Sequence, residues 1–158
     1  MAKSEHLQIA KSGPESFAKW RKKNPDTALD LSGADLAGVN LKGAKIRAAD
    51  LKDANLSGAK LGRASLAGAN LAGANLEAAD LGRVVLTGAD LGRAFMKGAD
   101  FTLAMIRDSM FVAADLRGAN FHQASLHRSD MSMAKYDEST RFPKGFDPNN
   151  TGQKDVDG

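Results

Sequence analysis

The feature that most constrains this chain is a period of five. From Leu31 to Tyr136 every fifth residue is bulky and apolar without a slip, giving 22 positions of which fourteen are Leu. Two residues before each stands a small residue, Ala in 17 of the 22 cases, with Leu29, Val39, Val84, Ser109 and Ser129 as the exceptions. Between the two lies Asp or Asn in 13 cases, and two residues after the bulky position Gly appears nine times. A fixed self-similar period of this kind marks a repeat architecture, which has to be recognised before any single element is assigned.

Period five rules out both ordinary elements. In an α-helix, steps of five turn by roughly 140° and scatter the bulky residues round the cylinder. In a strand, side chains alternate with period two, so a five-residue step sends every second Leu to the wrong face. The chain escapes both conflicts by turning once per repeat. The small and the bulky residue then point inward from a short extended piece. The next two residues form a corner, where Gly tolerates positive φ. The Asp or Asn between them points outward, where its short side chain can bond the turn backbone. The result is a coil with a thin core of Ala and Leu, matching a chain with only 6% aromatic residues.

Repeats such as Ala34-Asp35-Leu36 and Ala74-Asn75-Leu76, running from about residue 29 to residue 138, resemble the pentapeptide-repeat proteins. That resemblance implies an all-β fold, a right-handed quadrilateral β-helix with four repeats to a coil. About five and a half coils spaced by ~4.8 Å would make a rod roughly 26 Å long. Residues 1–28 read as a helical N-terminal cap. Helices are expected over Ser4–Lys11 and Pro14–Lys23, broken by Ser12-Gly13-Pro14, with Phe17 and Trp20 on one face covering the first coil. Residues 139–158 read as a capping loop, in which Phe142 and Phe146 fold over a last coil ending at the inward Tyr136, followed by a disordered tail beyond Asn149. No C-terminal helix is expected, so the C-terminal-helix dimer that the resemblance implies for gyrase-binding members is not expected here.

Charge and composition exclude several functions. The net charge of +3 resides in residues 1–28, while residues 29–138 carry thirteen charges of each sign. A neutral body predicts no basic face for nucleic acid, which binds through clustered cations. The run Lys19, Arg21, Lys22 and Lys23 in the cap is the one basic cluster. There is no cysteine, and His122 and His127 fall on adjacent faces, so no metal site or other cofactor is expected. A filled core leaves no pocket for a small-molecule substrate, and no nucleophile–base pair is apparent, so the chain reads as no enzyme. With no apolar span and no signal-like start, a cytoplasmic location without a membrane partner is expected.

The remaining signal is where the motif breaks. Val85, Met105 and Met110 replace Asp or Asn, and Leu103 and Val112 replace corner residues. Contiguous exposed apolar groups often mark interaction sites, and Met suits adaptable ones. These five form the candidate protein-binding patch, with Phe95 on a different face. The expected function is a scaffold or binding module for a protein partner. The alternative is a DNA-mimicking regulator of a type II topoisomerase (gyrase), resting on rows such as Asp30, Asp50, Asn70, Asp90 and Asp130; the neutral body counts against it.

Overall fold

The structure, a computed structural model, describes residues 1–150. The expected tail beyond Asn149 lies almost wholly outside the described residues. Two helices open the chain, α1 (Ser4–Lys11) and α2 (Pro14–Lys23), and a single 3-10 turn (Pro148–Asn150) ends the described part. Pro14 starts α2 with its fixed φ, and Gly13 before it takes φ 95°. Between them winds a coil of twenty residues per turn, recorded in 19 parallel bridges, 18 of which join an outward residue to the one twenty positions on.

The bridges sort the rod into four sides. The first carries Asp30, Asp50, Asn70, Asp90, Met110 and Asp130; the second Asp35, Asn55, Asn75, Phe95, Asp115 and Lys135. The third carries Asn40, Lys60, Asp80, Asp100, Asn120 and Arg141; the fourth Lys45, Ser65, Val85, Met105 and Ser125. All the bridges are isolated, so the β character lies in single-residue rungs stacked along the axis, not in extended strands.

Each repeat settles its backbone in the same way. In the repeat of Asp50, Leu51 N–H bonds Asn70 C=O at 2.7 Å and Asp50 N–H bonds Leu29 C=O at 2.8 Å, linking three coils. Ala54 N–H closes the corner on Leu51 C=O at 3.0 Å. The third corner residue holds φ between 55° and 71° in nine glycines and twelve other residues, the left-handed value of a type II turn. Inside, the bulky column is sealed: residues Leu31 through Phe121 are at most 1% exposed.

The two ends close differently. At the lower end Ala2 N–H bonds Ser32 C=O at 2.8 Å, and the buried His6 accepts the Asp30 N–H on Nδ1 at 2.8 Å. Phe17 is 1% exposed beneath the first coil, with Trp20 packed against it, as the spacing predicted. At the upper end Phe142 and Phe146 do pack on the core, but Tyr136 is not the last inward residue. It is 37% exposed. The ladder slips by one residue, pairing Asn120 with Arg141, and Phe142 stacks on Phe121 at 5.8 Å. Thr140-Arg141-Phe142 thus repeats the small–outward–bulky order after an inserted residue, which a strict period of five cannot register.

Candidate protein-binding surface

The outward Asp and Asn residues serve the turns. All 13 accept, on Oδ1, the N–H of the residue two positions on, at distances from 2.9 to 3.3 Å. This is the Asx turn, in which a short side chain substitutes for a backbone acceptor. In the interior coils, from the repeat of Asp50 to that of Asp100, all five N–H groups of a repeat with such a residue are bonded: three to neighbouring coils, one across the corner and one to the side chain. Hydroxyls strengthen some of these carboxylates. The Ser32 and Ser132 side chains, followed by their N–H groups, hold the Asp30 and Asp130 carboxyls below the usual range. Arg117, forked onto Asp115 at 2.8 and 2.6 Å, does the same for Asp115.

Against this background the five apolar departures separate into two groups. Val85 and Met105 are bridged neighbours on the fourth side, and Leu103 stands on the edge leading into it. Met110 lies round the next edge on the first side, between Asp90 and Asp130, and Val112 on the edge beyond that. Met105 is 49% exposed, Met110 48% and Leu103 36%, whereas Val85 and Val112 are half-buried. Phe95, 50% exposed, projects from the second side. The five are therefore a band bent over an edge occupied by Arg107 and Asp108, not one flat patch. Leu103 is also held at φ 61°, a conformation disfavoured for any residue with a Cβ.

Other chemistry is sparse. Among the described residues no group of three or more His, Cys, Asp or Glu could hold a metal ion, and no helix is long and apolar enough to cross a membrane. A shallow open depression is lined by Met1, Ser32, Gly33, Asp50, Lys52 and Asp53, and the Ser32 hydroxyl there donates to Asp30 Oδ1 at 2.8 Å as part of its turn. In the basic cap Arg21 is turned inward, donating to Asn24 C=O at 2.9 Å and Thr27 C=O at 2.7 Å while packing over Phe17 and Trp20.

The family profile for pentapeptide repeats matches in eight copies that together span residues 28–135 without a gap. The chain belongs to the pentapeptide-repeat family. No curated protein sequence matches it. Among solved structures, this pentapeptide-repeat protein is similar to one from the Arabidopsis thaliana thylakoid lumen, at 32% identity over 62% of this chain and 65% of that one, with a TM-score of 0.46. It is similar to trypsin-treated QnrB1, a plasmid-mediated fluoroquinolone resistance protein, at 21% identity over 69% and 60% of the two chains, with a TM-score of 0.48. HetL, involved in heterocyst differentiation regulation in the cyanobacterium Nostoc, matches at 29% identity over 68% and 65%, with a TM-score of 0.31. The match thus spans less than two thirds of these relatives' length.

Sorting the pentapeptide rod by side corrects one reading from the sequence. The body is neutral in sum but its charges are segregated. The fourth side and its two edges carry seven cations, Lys42, Lys45, Arg47, Arg63, Arg83, Arg107 and Arg128, against the single acid Asp108. The first side and the edge after it carry Asp30, Asp50, Asp53, Asp90 and Asp130 against Lys52 and Arg93. Summing charge along the chain hides this pattern; summing it down columns of twenty residues shows it.

Proposed function

We propose that this protein is a non-catalytic, protein-binding rod, a right-handed quadrilateral β-helix acting in the cytoplasm. Its recognition surface includes Val85, Leu103, Met105, Met110 and Val112. One observation carries the reading: exposed apolar side chains occupy outward positions that are otherwise polar, and at Val85, Met105 and Met110 they replace a side chain that would have satisfied a turn N–H. The rod gives up local stability at these positions, and exposed Met and Leu in one band suit an adaptable protein contact.

The test is affinity capture from host lysate with the unaltered chain beside Met105→Asp/Met110→Asp. A protein retained by the first and lost by the second is the expected result. Retention by both would sink the patch. Leu103→Gly is a useful companion, because it removes a side chain and the left-handed strain together. It is expected to leave the thermal midpoint unchanged or raise stability by up to about 1 kcal/mol while weakening retention.

A second reading, regulation of a type II topoisomerase through DNA mimicry, is favoured by the carboxylate row on the first side. Each of those carboxylates already accepts a turn N–H through Oδ1, and Lys52 and Arg93 stand beside them. A supercoiling assay without inhibition or protection would remove that reading.

A further inference from the structure

The fourth side differs from the other three in a way that the apolar band alone does not account for. Sides one, two and three carry Asp or Asn at five, four and four of their six outward positions; side four has none in five coils. The consequence is a column of unused donors. The residues two positions after Lys45, Ser65, Val85 and Met105 are Arg47, Ala67, Thr87 and Arg107. Among the described residues none of their N–H groups has an acceptor. On the other sides the equivalent N–H takes a carboxylate or amide oxygen from its own repeat at every Asp or Asn, and the uncapped ones after Lys60, Phe95 and Met110 each stand singly between capped neighbours. Here four such donors stack along one edge at coil spacing, ~4.8 Å apart.

Charge points the same way. Lys42, Lys45, Arg47, Arg63 and Arg83 are all exposed, and among the described residues none is ion-paired. Further up, Arg107 adds to them, while Arg128 is held by Asp108 at 2.6 Å. N–H groups in a row beside free cations form a surface that receives oxyanions, since both supply hydrogen bonds and positive potential. Between the cations sit Val85, Leu103 and Met105.

We propose that the fourth side is a carboxylate-receiving wall, and that its occupant is an acidic, partly apolar protein segment. Aspartate or glutamate side chains of the partner cap the Arg47, Ala67, Thr87 and Arg107 N–H groups, as the chain's own Asp and Asn cap their counterparts elsewhere. Its apolar side chains cover Val85 and Met105. A nucleic acid fits less well. The middle of the wall is apolar where a phosphate strand needs polar contact. Among the described residues no Phe, Tyr or Trp stands on this side or its edges to stack a base, the two histidines His122 and His127 lying only at its upper end. The inference rests on the reading of the rod as a protein-binding module and names the chemistry of its partner.

The probe is a fluorescein-labelled peptide of alternating Glu and Leu, titrated by anisotropy against the full chain. Lys45→Glu/Arg63→Glu/Arg83→Glu is expected to weaken it at least about tenfold, and the equal charge change Lys52→Glu/Lys60→Glu/Lys97→Glu on other sides by much less. Ser65→Asn/Val85→Asn/Met105→Asn alters no charge and supplies the missing caps from within. It is expected to raise the thermal midpoint and to weaken the peptide about tenfold, a pairing that a purely structural role would not produce. Equal losses in both charge-reversed rods would overturn the proposal, as would tighter, side-four-dependent binding of a DNA duplex or unaltered peptide affinity in the Asn variant. A charge-reversed rod that still captures the partner lost by Met105→Asp/Met110→Asp would sink this inference and leave the binding-module reading standing.

Discussion

At the residue scale the outward Asp or Asn is the unit that matters. It fills the one backbone donor per repeat that neither the neighbouring coils nor the corner satisfies. Asn40, Asn55, Asn70, Asn75 and Asn120 do so without charge, while Asp30, Asp115 and Asp130 do so as carboxylates with lowered pKa. A depressed folded-state pKa contributes stability that is present above the unfolded carboxylate value of about 3.9 and lost as pH falls through the folded value. The thermal midpoint should therefore be flat near neutrality and fall below about pH 4. Asp130→Asn is expected to keep the Ser132 N–H bond and make the acid limb shallower. Asp130→Ala should instead lose on the order of 0.5 kcal/mol at neutral pH, a small figure because the group faces solvent. Thermal denaturation across pH, run on all three chains, checks both expectations. An Asn variant with an unchanged acid limb would mean that these carboxylates do not govern acid unfolding.

At the element scale the ends decide whether the rod stays single. The interior column Phe101–Phe121–Phe142 stacks at 4.8 and 5.8 Å, and Phe142 is the lid on that column. Tyr136 meets Phe142 edge-on at 5.4 Å, and Phe146 tilts over Phe142 at 5.4 Å. Thr140 ties this lid down by donating to Leu116 C=O at 3.0 Å, as the buried Ser109 and Ser129 donate to Leu86 and Ile106 C=O at 2.6 Å lower in the rod. Phe142→Ala should cost about 2 kcal/mol, below the 3–5 of a fully buried Phe. It should also open the top of the core, so association should rise with concentration, read by light scattering. A variant that loses stability but stays monomeric would show that the remaining loop still covers the end. The aromatic content of residues 139–150 made this lid legible in the sequence. Its register was not, because the inserted residue ahead of Thr140 breaks the period and only the pairing of Asn120 with Arg141 restores it.

For the whole molecule, twenty residues make one coil, so deletions have two distinct consequences. Removing residues 51–70 takes out one coil and leaves every side in line. Removing residues 66–70 turns all that follows by a quarter, splitting the fourth side and setting Met105 over the third. Both chains keep the nearest-neighbour contacts of a solenoid and should give similar circular dichroism. Only the first should keep side-four binding, weakened by the loss of Arg63 and the Ala67 N–H with their coil and at a slightly lower thermal midpoint; equal binding by both would mean that the sides act independently. The sequence by itself determined the coil, its thin Ala–Leu core and the helical cap, while four repeats to a turn was what the family resemblance implied and the twenty-residue bridges show. The coil and its core follow from a local rule, apolar residues inward at a fixed step, that repeats without reference to distant residues. Rows such as Asp30 to Asp130 were legible once twenty residues were taken per coil. The tertiary structure decided that this assignment of residues to sides holds along the rod, with one slip at Asn120 and Arg141. That assignment depends on winding, which places Lys45, Arg63 and Met105 together although they lie far apart in the chain. A body neutral in sum thereby became a rod with one basic side, because electrostatics follows distance in space and not order along the backbone.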